Sequence, residues 1–233
     1  MIQHSDLEFA RYEIKFTVQR QNYYRFKNWL LLNPHDFYVP YPSRIVNNIY
    51  FDTLDCDSYV ENLTGCTSRT KLRLRWYGDT FNPQKAVLEL KAKRNRLGFK
   101  GAHKISFEGM KLSSMSYKDI VGNIKSQIAG DIYFRFQQSD VPIIINRYER
   151  DYFITRNMKT RATLDSNLTF FDQRNRTKPN SVFKSIAPEI CIFEVKTPSL
   201  EIDYAEKVIE TIELPPSKSS KYVLGVQSLI GYQ

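Results

Sequence analysis

The chain has 233 residues, of which 42% are hydrophobic and 25% are charged, a composition that excludes an intrinsically disordered protein. Lysine and arginine number 34 against 25 aspartate and glutamate residues, and the resulting net charge of +9 predicts an anionic partner. No apolar run is long enough to cross a bilayer, and three cysteines without a C-x-x-C spacing indicate reduced thiols. We therefore expect a cytoplasmic protein with no transmembrane segment.

Segments in which apolar and polar residues alternate dominate the chain, and this period of two is typical of β-strands. In chain order, strands are predicted at residues 11–18, 46–51, 69–77, 86–93, 101–108, 143–154, 160–164 and 190–197. Helices are predicted at residues 21–32, 117–128, 204–212 and 221–230. These elements predict an α+β protein built on one large antiparallel sheet. Because neither a repeat nor a linker interrupts the chain, we expect a single domain over residues 1–233.

The residues from Arg69 to Trp76 divide their side chains between the two faces of a strand. Arginine and lysine occupy every second position, whereas threonine, leucine and tryptophan occupy the others. Several further predicted strands have a similar face of mixed lysine, arginine and glutamate. Such a face is either solvated on an open sheet or, if the sheet closes, lines a lumen. Because crowded like charges repel, a charged lumen predicts a polyanionic ligand and a cation for its acidic residues.

Six short motifs, taken together, resemble a known family. They are residues 48–52 (NIYFD), 73–78 (RLRWYG), 88–91 (LELK), 163–165 (TLD), 193–196 (FEVK) and 216–222 (PSKSSKY), the last followed by Gly225. In this order they are similar to the catalytic domain of the vacuolar transporter chaperone complex. That domain is the polyphosphate polymerase branch of the triphosphate tunnel metalloenzymes. The resemblance extends from about residue 11 to residue 229.

The resemblance implies an eight-stranded antiparallel β tunnel, a closed barrel with a charged lumen and helices packed on its outside. In this branch the γ-phosphate of ATP is transferred to a growing chain, so ATP or another triphosphate and inorganic polyphosphate are the expected partners. The resemblance also implies Mn²⁺ or Mg²⁺, with Glu194 as its ligand. The implied catalytic residues, which contact phosphate, are Lys15, Arg73, Arg75, Lys91, Lys104, Arg150 and Arg161. Further phosphate ligands before the last helix are Lys218, Ser220 and Lys221.

Some residues of these motifs have two interpretations. Four acidic residues are either further metal ligands or salt-bridge partners of the arginines: Glu13, Glu89, Glu108 and Asp165. The run from Lys218 to Lys221 also fits a plain helix cap with solvated lysines. The basic turn between residues 91 and 100 either guides a polyanion or is a solvated hairpin.

Alternative functions follow from the same residues. Where the superfamily often begins with Glu-x-Glu-x-Lys, residues 11–15 read Arg-Tyr-Glu-Ile-Lys, and the missing acid favours a polymerase over a two-metal hydrolase. A hydrolase of inorganic or organic triphosphate is the first alternative, and a non-enzymatic polyphosphate-binding module is the second. No nucleic-acid-binding motif is found, so nucleic acid is not an expected partner. A membrane protein partner that receives the polymer is left open.

Overall fold

The structure, a computed structural model, describes residues 11–94, 97–198 and 201–230. Its strands are β1 (Arg11–Gln19), β2 (Phe37–Tyr38), β3 (Arg44–Asp52), β4 (Ser68–Tyr77), β5 (Lys85–Arg94), β6 (Leu97–Ser106), β7 (Val141–Thr155), β8 (Arg161–Asp172), β9 (Lys184–Ser185) and β10 (Ile190–Pro198). Its α-helices are α1 (Tyr23–Leu31), α2 (Asp57–Thr64), α3 (Tyr117–Lys125), α4 (Asp131–Gln138), α5 (Ile202–Glu210) and α6 (Lys221–Ile230). None of these helices is long and apolar enough to cross a membrane.

Every predicted strand overlaps an observed strand, and every predicted helix overlaps an observed helix. The prediction missed the helices α2 and α4 and the two short strands β2 and β9. Helix α3 ends at Lys125, and α4 begins after Gly130, whose φ of 66° is left-handed. Because glycine reaches this conformation at low cost, it divides the region into two short helices, of which the sequence predicted the first.

The predicted closed eight-stranded barrel is wrong, because the strands form an antiparallel sheet that does not close. The strand order is β1-β10-β8-β7-β3-β4-β5-β6, with β2 paired to β7 and β9 paired to β8. The charged residues that alternation assigned to a lumen therefore lie on one face of an open sheet.

The two strands at the ends of this order have other hydrogen-bond partners on their outer edges. On β1, the carbonyl oxygen of Lys15 accepts from the backbone N–H of Ser217 at 2.7 Å. On β6, the N–H of Ser106 donates to Gln127 Oε1 at 2.8 Å, and Gln127 Nε2 donates back to the Ser106 carbonyl at 3.0 Å. Because these backbone groups already have hydrogen-bond partners, they do not require a further strand to satisfy them.

The chain divides into two compact units. Within the described residues, unit 1 contains residues 11–44, Glu149–Leu168 and Glu189–Ser219. Unit 2 contains Ile45–Tyr148, Thr169–Pro188 and residues 220–230. That residues 1–233 form a single domain stays a prediction.

In unit 1, helices α1 and α5 pack on the apolar face of the strands. Leu30 of α1 and Val208 of α5 are buried in one cluster with strand residues. The strand residues of this cluster include Phe16, Phe153, Leu164, Phe193 and Val195. Each fully buried large apolar side chain contributes about 1.5–3 kcal/mol relative to an exposed one. This packing directs the alternate, charged residues of β1, β8 and β10 to the opposite face.

In unit 2, helices α3 and α4 cover the apolar face of β3, β4, β5 and β6. Ile120 and Ile124 of α3 and Phe136 of α4 are fully buried there. They pack in one cluster with Ile49, Phe51, Leu72, Leu74, Trp76, Leu88, Leu90 and Ile105. The predicted division of these strands into an apolar and a charged face is therefore correct.

Gly225 of α6 lies where a Cβ does not fit. A Cβ at this position would lie 2.6 Å from Ile144 Cδ1 and 2.8 Å from Phe170 Cδ1. We expect Gly225→Ala to lower the free energy of unfolding by about 1–3 kcal/mol, because overpacking forces the neighbours out of their rotamers. The matched control is Gly122→Ala in α3, where a Cβ meets nothing within 4 Å. This change favours the helix by up to about 1 kcal/mol. Urea unfolding measures both variants, and equal stabilities would contradict the packing argument.

Candidate functional site

The charged face of unit 2 is built by β3, β4, β5 and β6. The strand registers align Tyr50, Arg73 and Glu89 in one cross-strand row. Asn48 and Arg75 lie opposite each other in the next row. Because successive side chains alternate, Leu74 between the arginines points into the core, and both guanidinium groups lie on the same face.

Glu89 connects the two arginines. Its Oε2 accepts from Arg73 Nε at 2.8 Å and from Arg73 Nη2 at 2.5 Å, and its Oε1 accepts from Arg75 Nη1 at 3.4 Å. The side chains of Arg73, Arg75 and Glu89 are only 17%, 11% and 11% exposed. Burial raises the pKa of Glu89, but Arg73 and Arg75 outweigh burial and hold the pKa below its usual value. The carboxylate is therefore ionised at neutral pH and fixes both guanidinium groups. Two arginines and one glutamate together carry one excess positive charge.

Tyr50 and Asn48 contact the arginines from the neighbouring strand. Arg73 Nη1 donates to the Tyr50 hydroxyl at 3.3 Å, and Arg75 Nε donates to Asn48 Oδ1 at 3.0 Å. Asn48 Nδ2 in turn donates to Asn146 Oδ1 at 2.7 Å. Burial raises the pKa of Tyr50, but nearby positive charges, that of Arg73 foremost, lower it by more, so the pKa lies below its ordinary value. Donors held from several sides in this way are pre-organised for an anion.

The beginning of α6 lies beside β4. Lys71 Nζ donates to Ser220 Oγ at 3.1 Å, and Ser220 Oγ also accepts from the backbone N–H of Val223 at 3.4 Å. Lys221 Nζ lies 4.8 Å from the centre of the Tyr148 ring, within the range of a cation–π contact. Ser220 thus contacts a backbone N–H of the first turn of the helix, as the capping interpretation expects, and it also contacts a lysine of the charged face.

Tyr222 attaches α6 to β3. Its ring stacks on the ring of Tyr50 with centroids 5.0 Å apart, and its hydroxyl donates to Asp52 Oδ2 at 2.5 Å. The buried Asp52 carboxylate also accepts from three backbone N–H groups between residues 53 and 59. Burial and the Asp52 charge raise the pKa of Tyr222, so its hydroxyl stays protonated and remains the donor. The stack therefore fixes the position of Tyr50 beside the arginines.

Unit 1 carries a second charged cluster, in which two lysines each contact two glutamates. Lys15 Nζ lies 2.9 Å from Glu13 Oε1 and 3.9 Å from Glu194 Oε1. Lys196 Nζ lies 2.9 Å from Glu194 Oε1 and 3.9 Å from Glu13 Oε2. The Glu194 side chain is 6% exposed, whereas that of Glu13 is 32% exposed. The four formal charges cancel, so this cluster differs from the arginine pair of unit 2 in having no excess positive charge.

Arg150 and Asp165 form a bidentate pair in unit 1. Arg150 Nε donates to Asp165 Oδ1 at 2.6 Å, and Arg150 Nη2 donates to Asp165 Oδ2 at 2.8 Å. Asp165, like Glu89, is thus a salt-bridge partner of an arginine, which is one of the two predicted roles. Glu13 contacts lysines instead, and Glu108 is exposed after the end of β6.

Glu194 carries the carboxylate that the family resemblance implies as the metal ligand. Among the described residues, no three histidine, cysteine, aspartate or glutamate side chains lie close enough to hold a metal ion. Glu194 lies opposite Thr163, whose buried Oγ1 has no hydrogen-bond partner among the described residues. Mg²⁺ is commonly held by one or two protein oxygens together with phosphate oxygens and water. The residues therefore fit a metal ion that arrives with phosphate, and not an all-protein metal site.

The predicted site residues are divided between the two units. Unit 2 contains Arg73, Arg75, Lys91, Lys104, Ser220 and Lys221, and unit 1 contains Lys15, Arg150, Arg161, Glu194 and Lys218. Lys104 is exposed opposite Val87, and Lys218 is exposed before α6. Arg161 lies opposite Lys196.

Sequence reasoning missed the residues that hold the arginines from β3 and α6. These are Asn48, Tyr50, Asp52 and Tyr222. The first three alternate with the buried residues Ile49 and Phe51, and this alternation could have assigned them to the charged face. Nothing in the local sequence of α6 indicates that Tyr222 stacks on Tyr50.

The fold and this geometry define an α+β protein whose open antiparallel sheet carries a face with excess positive charge. The family model of the VTC domain matches residues 10–230, and the chain therefore belongs to this family, which is that of the polyphosphate polymerase catalytic domain. No curated protein matches the chain. A chain of the solved structure titled "Structure of the Schizosaccharomyces pombe Mediator head module" is similar over 88% of this chain and 96% of that chain. Its TM-score of 0.45 and its 8% identity carry no argument about function.

Proposed function

We propose that this chain is an ATP-dependent polyphosphate polymerase. A terminal phosphate oxygen of the growing chain forms a bond to the γ-phosphorus of ATP, the bond from that phosphorus to the β,γ-bridging oxygen breaks, and ADP leaves. Membership of the VTC domain family supports a polyphosphate-related function. The observation that carries the proposal is the Arg73–Arg75 pair, which Glu89 fixes on a face with an excess of positive charge.

The arginines supply what phosphoryl transfer requires of a protein, namely charge compensation and alignment. A guanidinium group has five N–H donors in a planar fork that matches phosphate oxygens. The described hydrogen bonds use three N–H groups of Arg73 and two of Arg75. The other N–H groups of both residues can donate to phosphate oxygens while Glu89, Tyr50 and Asn48 hold the fork in place.

Glu194, with the Thr163 hydroxyl beside it, would hold the divalent metal ion. When bound, Mg²⁺ or Mn²⁺ neutralises phosphate charge and orients the phosphate oxygens. Lys196 contacts the same Glu194 oxygen at 2.9 Å, so a metal ion competes with the lysine for it. We therefore expect metal binding by the protein alone to be weak and to strengthen when phosphate is present.

The test of the proposed function is the product made from ATP. The purified chain is incubated with ATP and Mn²⁺, and the products are separated on a gel stained for polyphosphate. A ladder of long chains supports the polymerase. Orthophosphate without chain growth would identify a triphosphate hydrolase, and no turnover with retained polyphosphate binding would identify a binding module.

Glu194→Gln is expected to raise the Mn²⁺ concentration for half-maximal turnover by about tenfold, because changes around a metal ligand typically weaken metal binding by this factor or more. Glu189→Gln is the matched control, since Glu189 lies in the same unit in an exposed pair with Arg20. A metal titration of initial rates measures both variants. If Glu194→Gln and Glu189→Gln need the same Mn²⁺ concentration, Glu194 is not the metal ligand.

A further inference from the structure

The segment of unit 2 from residue 174 to residue 186 presents three large apolar side chains to solvent. Val182, Phe183 and Ile186 are 72%, 71% and 66% exposed. Apolar residues that are exposed singly need no explanation, whereas a group of them marks an interaction site. These three lie within five positions of the sequence, so the 174–186 segment is a candidate interaction surface.

The same segment is strongly basic. It contains Arg174, Arg176, Lys178 and Lys184 and has no aspartate or glutamate. Arg174 Nη2 lies 2.9 Å from Asp172 Oδ2, just before the segment, whereas the other three cations are exposed and no acid of the segment neutralises them. Exposed apolar groups among excess cations indicate a partner with an anionic surface and an apolar interior.

Two buried amide side chains fix the turn that presents the apolar residues. Asn180 Oδ1 accepts from the backbone N–H of Val182 at 3.1 Å and from that of Phe183 at 2.9 Å, and its Nδ2 donates to the Phe183 carbonyl at 2.9 Å. Gln173 accepts from the backbone N–H of Asn180 at 2.7 Å and donates to its carbonyl at 2.8 Å. The hydroxyl of Tyr117 in turn donates to Gln173 Oε1 at 2.6 Å. The turn is therefore ordered before any partner binds, which lowers the entropic cost of binding.

The segment is also anchored on both sides of this turn. Before it, the carbonyl of Thr177 accepts from the backbone N–H of Tyr117 at 2.8 Å. After it, Lys184 pairs with the buried Phe171 in the antiparallel contact between β8 and β9. Folding of the segment therefore leaves its apolar side chains in water, and a partner is needed to bury them.

We propose that the 174–186 segment docks this protein on the surface of an anionic phospholipid bilayer. The three apolar side chains enter the boundary between headgroups and acyl chains, as the apolar side of an interfacial segment does. The exposed lysines and arginine keep their charged ends at the level of the headgroups. Each such cation contributes about fivefold to binding near an anionic bilayer. The inference does not rest on the proposed function.

The composition of the segment favours a bilayer over other anionic partners. Two of its three exposed apolar side chains are aliphatic and cannot stack on a nucleic-acid base. Interfaces between proteins are depleted of lysine, whereas lysine and arginine beside phenylalanine are typical of segments that lie in a membrane interface. A second copy of this chain would carry the same net charge of +9 and would be repelled.

The experiment mixes the full chain with vesicles of phosphatidylcholine alone or of phosphatidylcholine and phosphatidylserine in equal parts, without ATP, metal or polyphosphate. Flotation through a density gradient measures the bound fraction. Phe183→Ser tests the apolar contact, and its matched control is Phe134→Ser, since Phe134 of α4 is 64% exposed in the same unit. Lys184→Gln tests the cations, and its matched control is Lys111→Gln, which changes an exposed lysine of unit 2 outside the segment.

The unchanged chain is expected to bind the vesicles that contain phosphatidylserine about 10- to 100-fold more tightly than those of phosphatidylcholine, because three cations act together. Phe183→Ser should weaken this binding about tenfold and Lys184→Gln about fivefold, while both controls bind as the unchanged chain does. The fluorescence of Phe183→Trp should shift to shorter wavelength when these vesicles are added, and that of Phe134→Trp should not. The urea midpoints of Phe183→Ser and Phe134→Ser should match that of the unchanged chain, because both side chains are exposed.

Equal binding of Phe183→Ser and Phe134→Ser would overturn the inference, since the charged face of the sheet would then hold the vesicles by electrostatics alone. An unchanged chain that binds neither kind of vesicle would also overturn it and would leave the segment as a surface for a protein partner. The same loss of binding in Lys111→Gln as in Lys184→Gln would show that net charge, and not this segment, attracts the bilayer. Synthesis of polyphosphate from ATP is measured without vesicles, so the proposed function and the docking surface can fail independently.

Discussion

Arg73→Lys is expected to lower the rate of ATP turnover by about 10²-fold, because one pre-organised donor group is typically worth this much in the transition state. Arg73 donates through Nε and Nη2 to Glu89 and through Nη1 to Tyr50. Lysine keeps the positive charge but has a single nitrogen on a flexible chain. It cannot hold Glu89, Tyr50 and a phosphate oxygen in one fixed geometry. Initial rates of ADP release measure the loss.

Arg135→Lys is the matched control for this variant. Arg135 lies on α4 in the same unit, and its Nε donates to Asp131 at 2.7 Å in an exposed pair. An exposed pair is worth at most about 1 kcal/mol, so we expect unchanged turnover from this control. If Arg73→Lys and Arg135→Lys both keep the full rate, Arg73 does not contact the transferring phosphate and the proposed site is wrong.

The face on which each strand residue lies could be predicted from the sequence, because it depends only on local alternation. Arg73 and Arg75 are two positions apart on β4 and therefore point to the same side. Leu74 lies between them, Leu72 precedes Arg73, and both leucines are buried. The same reasoning assigned Glu89 to the charged face of β5, where its carboxylate meets both arginines.

Closure of the sheet could not be predicted in this way, because the same charged face fits an open sheet and a barrel. The outer edge of β1 is satisfied when Ser217 donates to the Lys15 carbonyl, and the outer edge of β6 is satisfied by the Gln127 side chain. Ser217 is about 200 positions from β1 in the sequence, and Gln127 lies about 20 positions after the end of β6. Local alternation within a strand does not indicate either contact. The family resemblance predicted closure, whereas these particular edge contacts accompany an open order of strands.

The residues that support the arginine pair could not be predicted from the sequence either, because their contacts join distant parts of the chain. Tyr222 donates to Asp52 across 170 positions of sequence and stacks on Tyr50. Contacts of this kind depend on where α6 packs, and the local alternation of apolar and polar residues does not determine that position. The motifs identified the groups that can contact phosphate, while the residues that hold those groups became visible only in the folded chain.

Glu89→Gln is expected to lower the free energy of unfolding by about 3 kcal/mol at neutral pH, because removing one partner of a buried ion pair leaves the other charge uncompensated. Here two guanidinium groups, both less than a fifth exposed, would lose their shared carboxylate. Urea unfolding measures the change. Asp131→Asn, which removes the partner of the exposed Arg135, is the control and is expected to cost at most about 1 kcal/mol.

The difference in stability between the unchanged chain and Glu89→Gln is expected to decrease as the pH falls. Burial raises the pKa of Glu89, but Arg73 and Arg75 lower it by more, so the folded-state pKa lies below the unfolded value of about 4.3. The stabilisation by Glu89 is therefore complete well above that pH and is lost as the pH falls through the folded-state pKa. Glu89→Gln and the unchanged chain should consequently converge in stability in acid.

Added tripolyphosphate provides the link between stability and function. A ligand that binds only the folded state stabilises it in proportion to its affinity, and an anion between Arg73 and Arg75 would take the place of the lost carboxylate. Tripolyphosphate should therefore raise the urea midpoint of Glu89→Gln by more than it raises that of Asp131→Asn. If tripolyphosphate raises neither midpoint, the arginine pair does not bind phosphate, and Glu89 serves the fold alone.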